Sequence, residues 1–217
     1  ALAPVLPDVA GRIISELFTP VLLGRDPLDR GVIWNMLYGL MRDRGYYSGF
    51  MVDAISAVDC ALWDIAGKHF GVPVYKLLGG AYRTEIPAYI SGLPVAGLDE
   101  KVTLALSWKE KGFKAIKLQI GYGMDEDIRI MRALREALGA DFKLMIDAHW
   151  NYTVAQAVKL AHRLEELDVE FLECPLNPEN LAGYSELAAT VSIPVTLGEA
   201  DRTHWRYKDI LDRNSCD

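Results

Sequence analysis

Three carboxylates end short apolar runs at equal intervals along the chain. The runs are Lys143–Asp147, Val169–Glu173 and Pro194–Glu199, and each acidic end follows the previous one by 26 residues. That interval accommodates one strand, one crossover helix and two loops. Strands of a parallel sheet end on one face, so we expect the three carboxylates to converge. Converging carboxylates repel one another unless a cation lies among them, and the pattern therefore predicts a divalent metal bound by Asp147, Glu173 and Glu199.

The competing interpretation is that each acid caps the helix after its strand, as acidic residues near helix starts often do. A single acid would favour that explanation. Three acids in the same register favour the metal site.

A histidine, a lysine and a glutamine could also act on a substrate. His149 follows Asp147 by two residues, so in an extended chain both side chains point to the same side. It can donate a proton to a leaving hydroxyl or hold a substrate oxygen, although a lone histidine is more often a structural hydrogen-bonding group. Lys117 and Gln119 share a face in the same way; Lys117 either binds a substrate carboxylate or forms a salt bridge, and Gln119 is expected to hydrogen-bond the substrate.

The elements that must position these residues change character along the chain. Residues 9–70 show helical periodicity, with a helix over 51–69 that Gly71 ends. From Ile86 onward strands and helices alternate: strands are predicted at 86–91 and 114–120 and before each acid, and helices at 99–111, at 125–138 and after a Thr153/Gln156 capping box. A doubly wound sheet and a (β/α)8 barrel both fit this order, and the near-constant period favours the barrel. Residues 86–217 are about half of what eight units need, so we expect a longer protein.

The composition excludes several classes of protein. Of 217 residues, 51% are hydrophobic, and the net charge of −7 argues against a nucleic-acid or anionic-membrane partner. The three cysteines, at 60, 174 and 216, form no paired motif, which fits a reducing compartment. No apolar stretch is long enough to span a bilayer, and Ala1-Leu-Ala-Pro lacks the order of a signal peptide. We therefore expect a cytoplasmic protein.

Several longer motifs resemble one known family. They are Ala54–Lys68, Val74–Gly80, Lys114–Gly121, Ile146–His149, Leu172–Leu176 and Leu197–Glu199. Through them, essentially the whole chain resembles the mandelate racemase branch of the enolase superfamily. The resemblance implies part of a mainly helical α+β capping domain over 1–82 and, over 83–217, about five strands of a modified (β/α)8 TIM-type barrel. It also implies Mg²⁺ bound by Asp147, Glu173 and Glu199, a small carboxylate substrate and a homo-oligomer.

The variable positions of the family indicate which reaction to expect. Racemases of the family have Lys-x-Lys where this chain has Lys117-Leu-Gln119, and an amide cannot serve as the base. The Asp147-x-His149 pattern resembles the galactonate and mannonate dehydratases, in which this histidine is the general acid. Their base is a histidine on the seventh strand, beyond residue 217. The resemblance therefore implies a lyase that dehydrates an aldonate-type sugar acid to a 2-keto-3-deoxy acid. A racemase, epimerase or cycloisomerase, and a non-catalytic ligand-binding member of the fold, are the alternatives.

Overall fold

A computed structural model describes residues 7–217 of the chain. The sequence interpretation of residues 1–6, including the absence of a signal peptide, lies outside the described residues. The chain divides into two compact units, Ala1–Ile86 with Arg202–His204, and Pro87–Asp201 with Trp205–Asp217. Every residue predicted above to act on a metal or substrate belongs to the second unit.

The first unit is helical over its described residues. Its elements are α1 (Pro7–Ile13), a π-helical turn (Ile14–Phe18), α2 (Thr19–Leu22), α3 (Arg30–Arg42), α4 (Phe50–Phe70) and α5 (Val74–Leu77). Phe18, Leu37 and Ile55 are buried at its centre. Helix α4 ends as predicted, because Gly71 adopts a left-handed conformation (φ 66°) and its N–H donates to the carbonyls of Gly67 and Lys68.

The second unit alternates strands and helices. They are β1 (Ile90–Ser91), α6 (Leu98–Glu110), β2 (Ala115–Gln119), α7 (Met124–Leu138), β3 (Lys143–Asp147), α8 (Val154–Glu165), β4 (Val169–Glu173), α9 (Leu181–Thr190), β5 (Val195–Thr196) and α10 (Thr203–Asp212). The five strands are parallel and pair in sequence order. The predicted α/β class is therefore confirmed. In-order pairing is what a barrel requires, whereas the order of a doubly wound sheet reverses at a switch point.

Buried apolar side chains fix the sheet and its helices. Leu144 and Ile146 of β3 are fully buried, and Met131 and Leu134 of α7 belong to the same core. The predicted capping box begins α8, because the Gln156 N–H donates to Thr153 Oγ1 while Gln156 Oε1 accepts from the Thr153 N–H. These contacts hold the loops at the carboxyl ends of the strands, where the candidate residues lie.

The two outer strands are shorter than the sequence predicted. Residues 86–89 are not part of β1, and Ile86 is 80% exposed. Pro87 has no N–H to donate to a strand ladder, so the apolar pattern there does not produce pairing. Strand β5 ends at Thr196, Gly198 adopts φ 128°, and Glu199 lies in the turn that begins there rather than at the end of a strand.

Candidate active site

The ends of β3 and β4 bring two of the predicted acids side by side. Asp147 and Glu173 are the last residues of their strands and are register partners. Asp147 is buried, with only 3% of its surface exposed. A carboxylate as buried as this one is costly unless its charge is balanced, so the site requires positive charge or hydrogen-bond donors nearby.

The third acid, Glu199, is positioned by a turn after β5. The Tyr207 hydroxyl of α10 donates to the Gly198 carbonyl at 2.9 Å, and the Asp201 N–H donates to the same oxygen at 3.0 Å. A Cβ atom on Gly198 would lie 3.1 Å from the Tyr207 ring, so this close approach favours glycine. Tyr207 was not singled out from the sequence, because an aromatic residue in an amphipathic helix carries no signal of contact with a particular turn.

His149 lies next to two of these carboxylates. Its Nδ1 atom is 3.8 Å from Asp147 Oδ2 and 4.0 Å from Glu199 Oε1, and half of its side chain is exposed. The His149 N–H donates to Asp147 Oδ1 at 3.0 Å. The sequence predicted that His149 would face the same centre as Asp147, and the structure brings both side chains to one place with Glu199.

The loop that carries His149 has an unusual backbone. His149 (φ 50°) and Trp150 (φ 63°) both adopt left-handed conformations, which non-glycine residues rarely do. Backbone bonds to the end of β4 hold them there: the Trp150 N–H donates to the Cys174 carbonyl at 2.6 Å, and the Tyr152 N–H donates to the Pro175 carbonyl at 3.0 Å. Backbone strain of this kind concentrates at functional sites.

Lys117 forms an ion pair with Glu173. The Lys117 Nζ atom lies 2.6 Å from Glu173 Oε2, and both side chains are largely buried. Burial alone would lower the pKa of Lys117, but the hydrogen bond and the negative charge of Glu173 outweigh it and leave that pKa above its ordinary value. Lys117 therefore carries a positive charge at neutral pH, within the field of Asp147 as well.

All three carboxylates act on one buried thiol. Burial, followed by the negative charges of Glu199, Glu173 and Asp147, raises the pKa of Cys174 to about 12. Cys174 is 1% exposed. Asp147 is the register partner of Glu173 and lies in one compact group with His149 and Glu199, and of the three acids only Glu173 has a lysine partner among the described ion pairs.

The charges of the site fit a divalent cation. Three carboxylates face one ammonium group, which leaves an excess of negative charge that a divalent ion would neutralise. One ligand atom each from Asp147, His149 and Glu199 lies within 4.8 Å of the others, close enough for one ion to contact them all. Glu173 is not in that group, and its carboxylate bonds Lys117 instead. Its predicted role as a metal ligand stays a prediction, as do those of Asp147 and Glu199.

Gln119 ends β2 in register with Asp147. Its side chain lines a cavity of about 370 Å³ together with Ser91, Lys101 and Tyr122. An amide there offers both a donor and an acceptor to a bound molecule. This position of Gln119 is compatible with substrate binding. Substrate binding by Gln119 and Lys117 remains a prediction.

Four other polar or aromatic side chains lie in loops or at the start of a helix. Asp201 bonds Arg206 Nε at 2.6 Å in the turn after Glu199, and His204 lies in the first turn of α10. Tyr46 and Tyr47 are each 56% exposed in the loop between α3 and α4. A residue that sequence analysis missed is Tyr89, whose ring centre lies 6.0 Å from Lys117 Nζ.

Comparison with known families agrees with this fold. Residues 100–217 match the enolase C-terminal domain-like family, and residues 6–79 match the N-terminal domain of mandelate racemase and muconate lactonizing enzyme. The chain belongs to the mandelate racemase/muconate lactonizing enzyme branch of the enolase superfamily, and the predicted family is confirmed.

Two curated relatives show the range of reactions in this branch. The chain is 38% identical over 210 residues to the D-galactarolactone cycloisomerase of Agrobacterium fabrum, covering 95% of this chain and 54% of the relative. It is 35% identical over 217 residues to the arabinonate dehydratase of Saccharolobus solfataricus, covering 97% and 57%. The chain thus spans about half the length of the curated relatives it matches.

Solved structures agree closely with the fold. A putative isomerase from Sinorhizobium meliloti superposes with a TM-score of 0.94 at 40% identity, over 98% of this chain and 55% of that one. A racemase from Streptomyces coelicolor, solved with bound magnesium, gives 0.91 at 30% identity, over 97% and 58%. Within residues 7–217, no helix combines the length and apolar character needed to cross a membrane.

Proposed function

We propose that the full-length protein is a Mg²⁺-dependent sugar-acid dehydratase. In this proposal residues 1–82 belong to its capping domain and 83–217 to its barrel. The substrate is a small polyhydroxy carboxylate of the aldonate type, and the product is a 2-keto-3-deoxy acid. The names of relatives such as arabinonate dehydratase support this class of substrate.

The acidic residues are suited to hold the ion. Asp147, Glu173 and Glu199 offer the oxygen ligands that Mg²⁺ prefers, and the excess of negative charge around Cys174 favours a cation there. Relatives solved with bound magnesium support the choice of metal. When bound, Mg²⁺ supplies the positive charge that stabilises the anion formed as the carbon beside a carboxylate loses its proton.

Lys117 and Gln119 orient the substrate in this proposal. Lys117 remains protonated and directs its charge toward the substrate carboxylate, while Gln119 hydrogen-bonds a hydroxyl. Gln119 cannot remove a proton bound to carbon, so the base is expected on a part of the full-length protein outside residues 1–217.

His149 carries the proposal. Its imidazole lies 3.8 Å and 4.0 Å from two carboxylates of the site and is half exposed, so it can both reach a bound substrate and carry a proton. In the dehydration, the proton at C2 leaves, its electron pair forms the C2–C3 double bond, and the C3–O bond breaks. His149 donates a proton to the departing oxygen, which leaves as water, and the enol then tautomerises to the keto acid.

The cycloisomerase relatives favour a second candidate. If the oxygen on C3 belongs to a ring of the substrate, the same bond cleavage opens the ring and loses no water. His149 would protonate the ring oxygen, and the product would be an isomer of the substrate. The two candidates therefore differ in the leaving group and share the groups that assist its departure.

The test is turnover of a panel of sugar acids and anhydro sugar acids by the full-length protein, with and without EDTA. Dehydration gives a keto acid one water lighter than the substrate, and ring opening gives a product of unchanged mass. The informative variant is His149→Gln, which is expected to exchange the C2 proton with deuterated solvent but to lose elimination by about 100-fold or more. His162→Gln, an exposed histidine on α8 paired with Glu165, is the matched control. The proposal would be overturned if the full-length protein showed no EDTA-sensitive turnover with any member of the panel.

A further inference from the structure

Asp127 is a buried carboxylate that has no part in the metal binding, substrate binding or proton transfer proposed above. It lies in the first turn of α7 and is fully buried, whereas its neighbour Asp125 in the same turn has a side chain that is 97% exposed. A buried aspartate is rare unless it is paired or well hydrogen-bonded. The hydrogen bonds of the Asp127 carboxylate therefore indicate why it is buried.

The first set of contacts is to the loop after β2. Asp127 Oδ1 and Oδ2 accept hydrogen bonds from the Gly121 N–H at 3.1 and 3.0 Å, and Oδ1 accepts another from the Tyr122 N–H at 3.1 Å. This loop directly follows Gln119. Asp127 thus fixes the backbone immediately beyond the end of β2.

The second contact is to the loop after β3. The Tyr152 hydroxyl donates to Asp127 Oδ2. Burial and this hydrogen bond to a carboxylate raise the pKa of Tyr152, so its hydroxyl stays protonated and remains a donor. Tyr152 ends the loop that carries His149, and one carboxylate therefore ties together two loops at the candidate site.

The two loops also touch directly. A Cβ atom on Gly121 would lie 2.2 Å from Asn151 Nδ2, which leaves room only for glycine, and Asn151 Nδ2 itself donates to the Ala148 carbonyl at 3.1 Å. His149 and Trp150 lie between these attachment points in left-handed conformations. Such conformations persist only where their surroundings hold them, and Asp127 and Tyr152 hold the loop on the β2 side.

We propose that Asp127 and Tyr152 are positioning residues that keep His149 aimed at the reacting centre. They form a hydrogen-bonded bridge from α7 to the loop over residues 148–152. Neither residue belongs to the group that could bind a metal. The expected effect of Asp127 and Tyr152 on turnover rests on the proposed function, whereas their expected effect on the order of the loop does not.

The experiment uses the full-length protein with the variants Tyr152→Phe, Asp127→Asn and the double variant. Loop order is read from amide hydrogen exchange over residues 148–152 and 121–122. We expect exchange to accelerate roughly tenfold or more in each single variant, because each loses or weakens a hydrogen bond to a charged group. The effects of the two changes should be less than additive in the double variant, since both act on one bridge.

Kinetics separate positioning from general support of the fold. In Tyr152→Phe, kcat is expected to fall about tenfold while KM and the affinity for Mg²⁺ change less than about threefold, because misplacing a proton donor affects the bond-breaking step. Asp125→Asn is the matched control, since it removes an acid from the same helical turn without touching either loop. It should change neither exchange nor kcat.

Unchanged exchange in both Tyr152→Phe and Asp127→Asn would overturn the bridge. Equal effects from Asp125→Asn would overturn it as well, as would a change confined to KM. If the wild-type protein turns over no sugar acid, the proposed function fails, and hydrogen exchange alone then decides whether the bridge orders the loop.

Discussion

Lys117 Nζ, from the middle of β2, and Glu173 Oε2, at the end of β4, lie 2.6 Å apart, although β3 separates the two strands. The pair places the ammonium group of the site directly against one predicted metal ligand. It also leaves Asp147 and Glu199 without a lysine partner among the described ion pairs of residues 7–217. Experiments on Lys117 and Glu173 can therefore test whether Glu173 pairs with the lysine or binds a metal.

Removing Lys117 should destabilise the metal-free protein. Lys117→Met leaves the Glu173 charge largely buried and unpaired, and a partly buried pair of this kind is expected to cost about 1–3 kcal/mol in the free energy of unfolding. Mg²⁺ should restore much of that loss, because a cation would replace the missing charge. Urea unfolding with and without Mg²⁺ measures both effects. Lys143→Met, which breaks an exposed pair with Glu170, should cost less than about 1 kcal/mol. Equal losses in the two variants would contradict the prediction.

The contribution of Lys117 should depend on pH in one direction. Its pKa in the folded protein lies above the ordinary value of 10.5, so its stabilising effect is complete below that value and disappears as the pH rises through the folded pKa. The difference in unfolding free energy between the wild type and Lys117→Met should therefore be constant near neutral pH and shrink in strong alkali. Urea titrations across this range provide the measurement. A difference that already vanishes near pH 8 would show that the pair is not formed.

The ligand set can be distinguished by comparing two variants. Mg²⁺ prefers oxygen ligands, so Glu173→Gln should weaken its binding about tenfold or more, whereas His149→Gln should leave the affinity nearly unchanged. Calorimetry on the full-length protein gives the affinities without any need for turnover. Asp201→Asn, outside the group that could bind a metal, is the control. The opposite order of effects would replace Glu173 by His149 in the ligand set.

Cys174 should resist alkylation in the native protein. Its pKa of about 12 and its 1% exposure leave almost no accessible thiolate near neutral pH, while Cys60 on α4 is exposed. Iodoacetamide labelling followed by peptide mass spectrometry should therefore find Cys60 modified and Cys174 intact. Labelling after denaturation, which should reach both cysteines, is the control. Rapid labelling of native Cys174 would mean that the ends of β4 and β5 open frequently.

The sequence predicted the ends of the inner strands well and those of the outer strands less well. Asp147 and Glu173 end β3 and β4 as expected, because each ends a short apolar run and both strands pair with a neighbour on either side. Before β1 the apolar Ile86 is exposed, and after β5 Glu199 lies within the turn that begins at Gly198. Strand length at those positions depends on pairing with neighbours, which the local pattern does not contain.

Contacts across the site were harder to predict than the residues themselves. Lys117 and Glu173 are 56 residues apart, and nothing in either segment specifies that they meet. Asp127 belongs to an acidic helix start, Met124-Asp-Glu-Asp127, where solvent exposure is the usual outcome. Its burial follows from the helix phase that turns position 127 toward the loops and position 125 toward water.

The in-order sheet has a consequence for how the protein is made. Each strand pairs with the one synthesised just before it, so the sheet can grow one unit at a time as the chain leaves the ribosome. The segment around His149 cannot complete its contacts at that stage, because two of its amides donate to the carbonyls of Cys174 and Pro175, which follow β4. A nascent chain released after β3 would already contain Asp147 and His149, yet it would lack the partners that set their geometry.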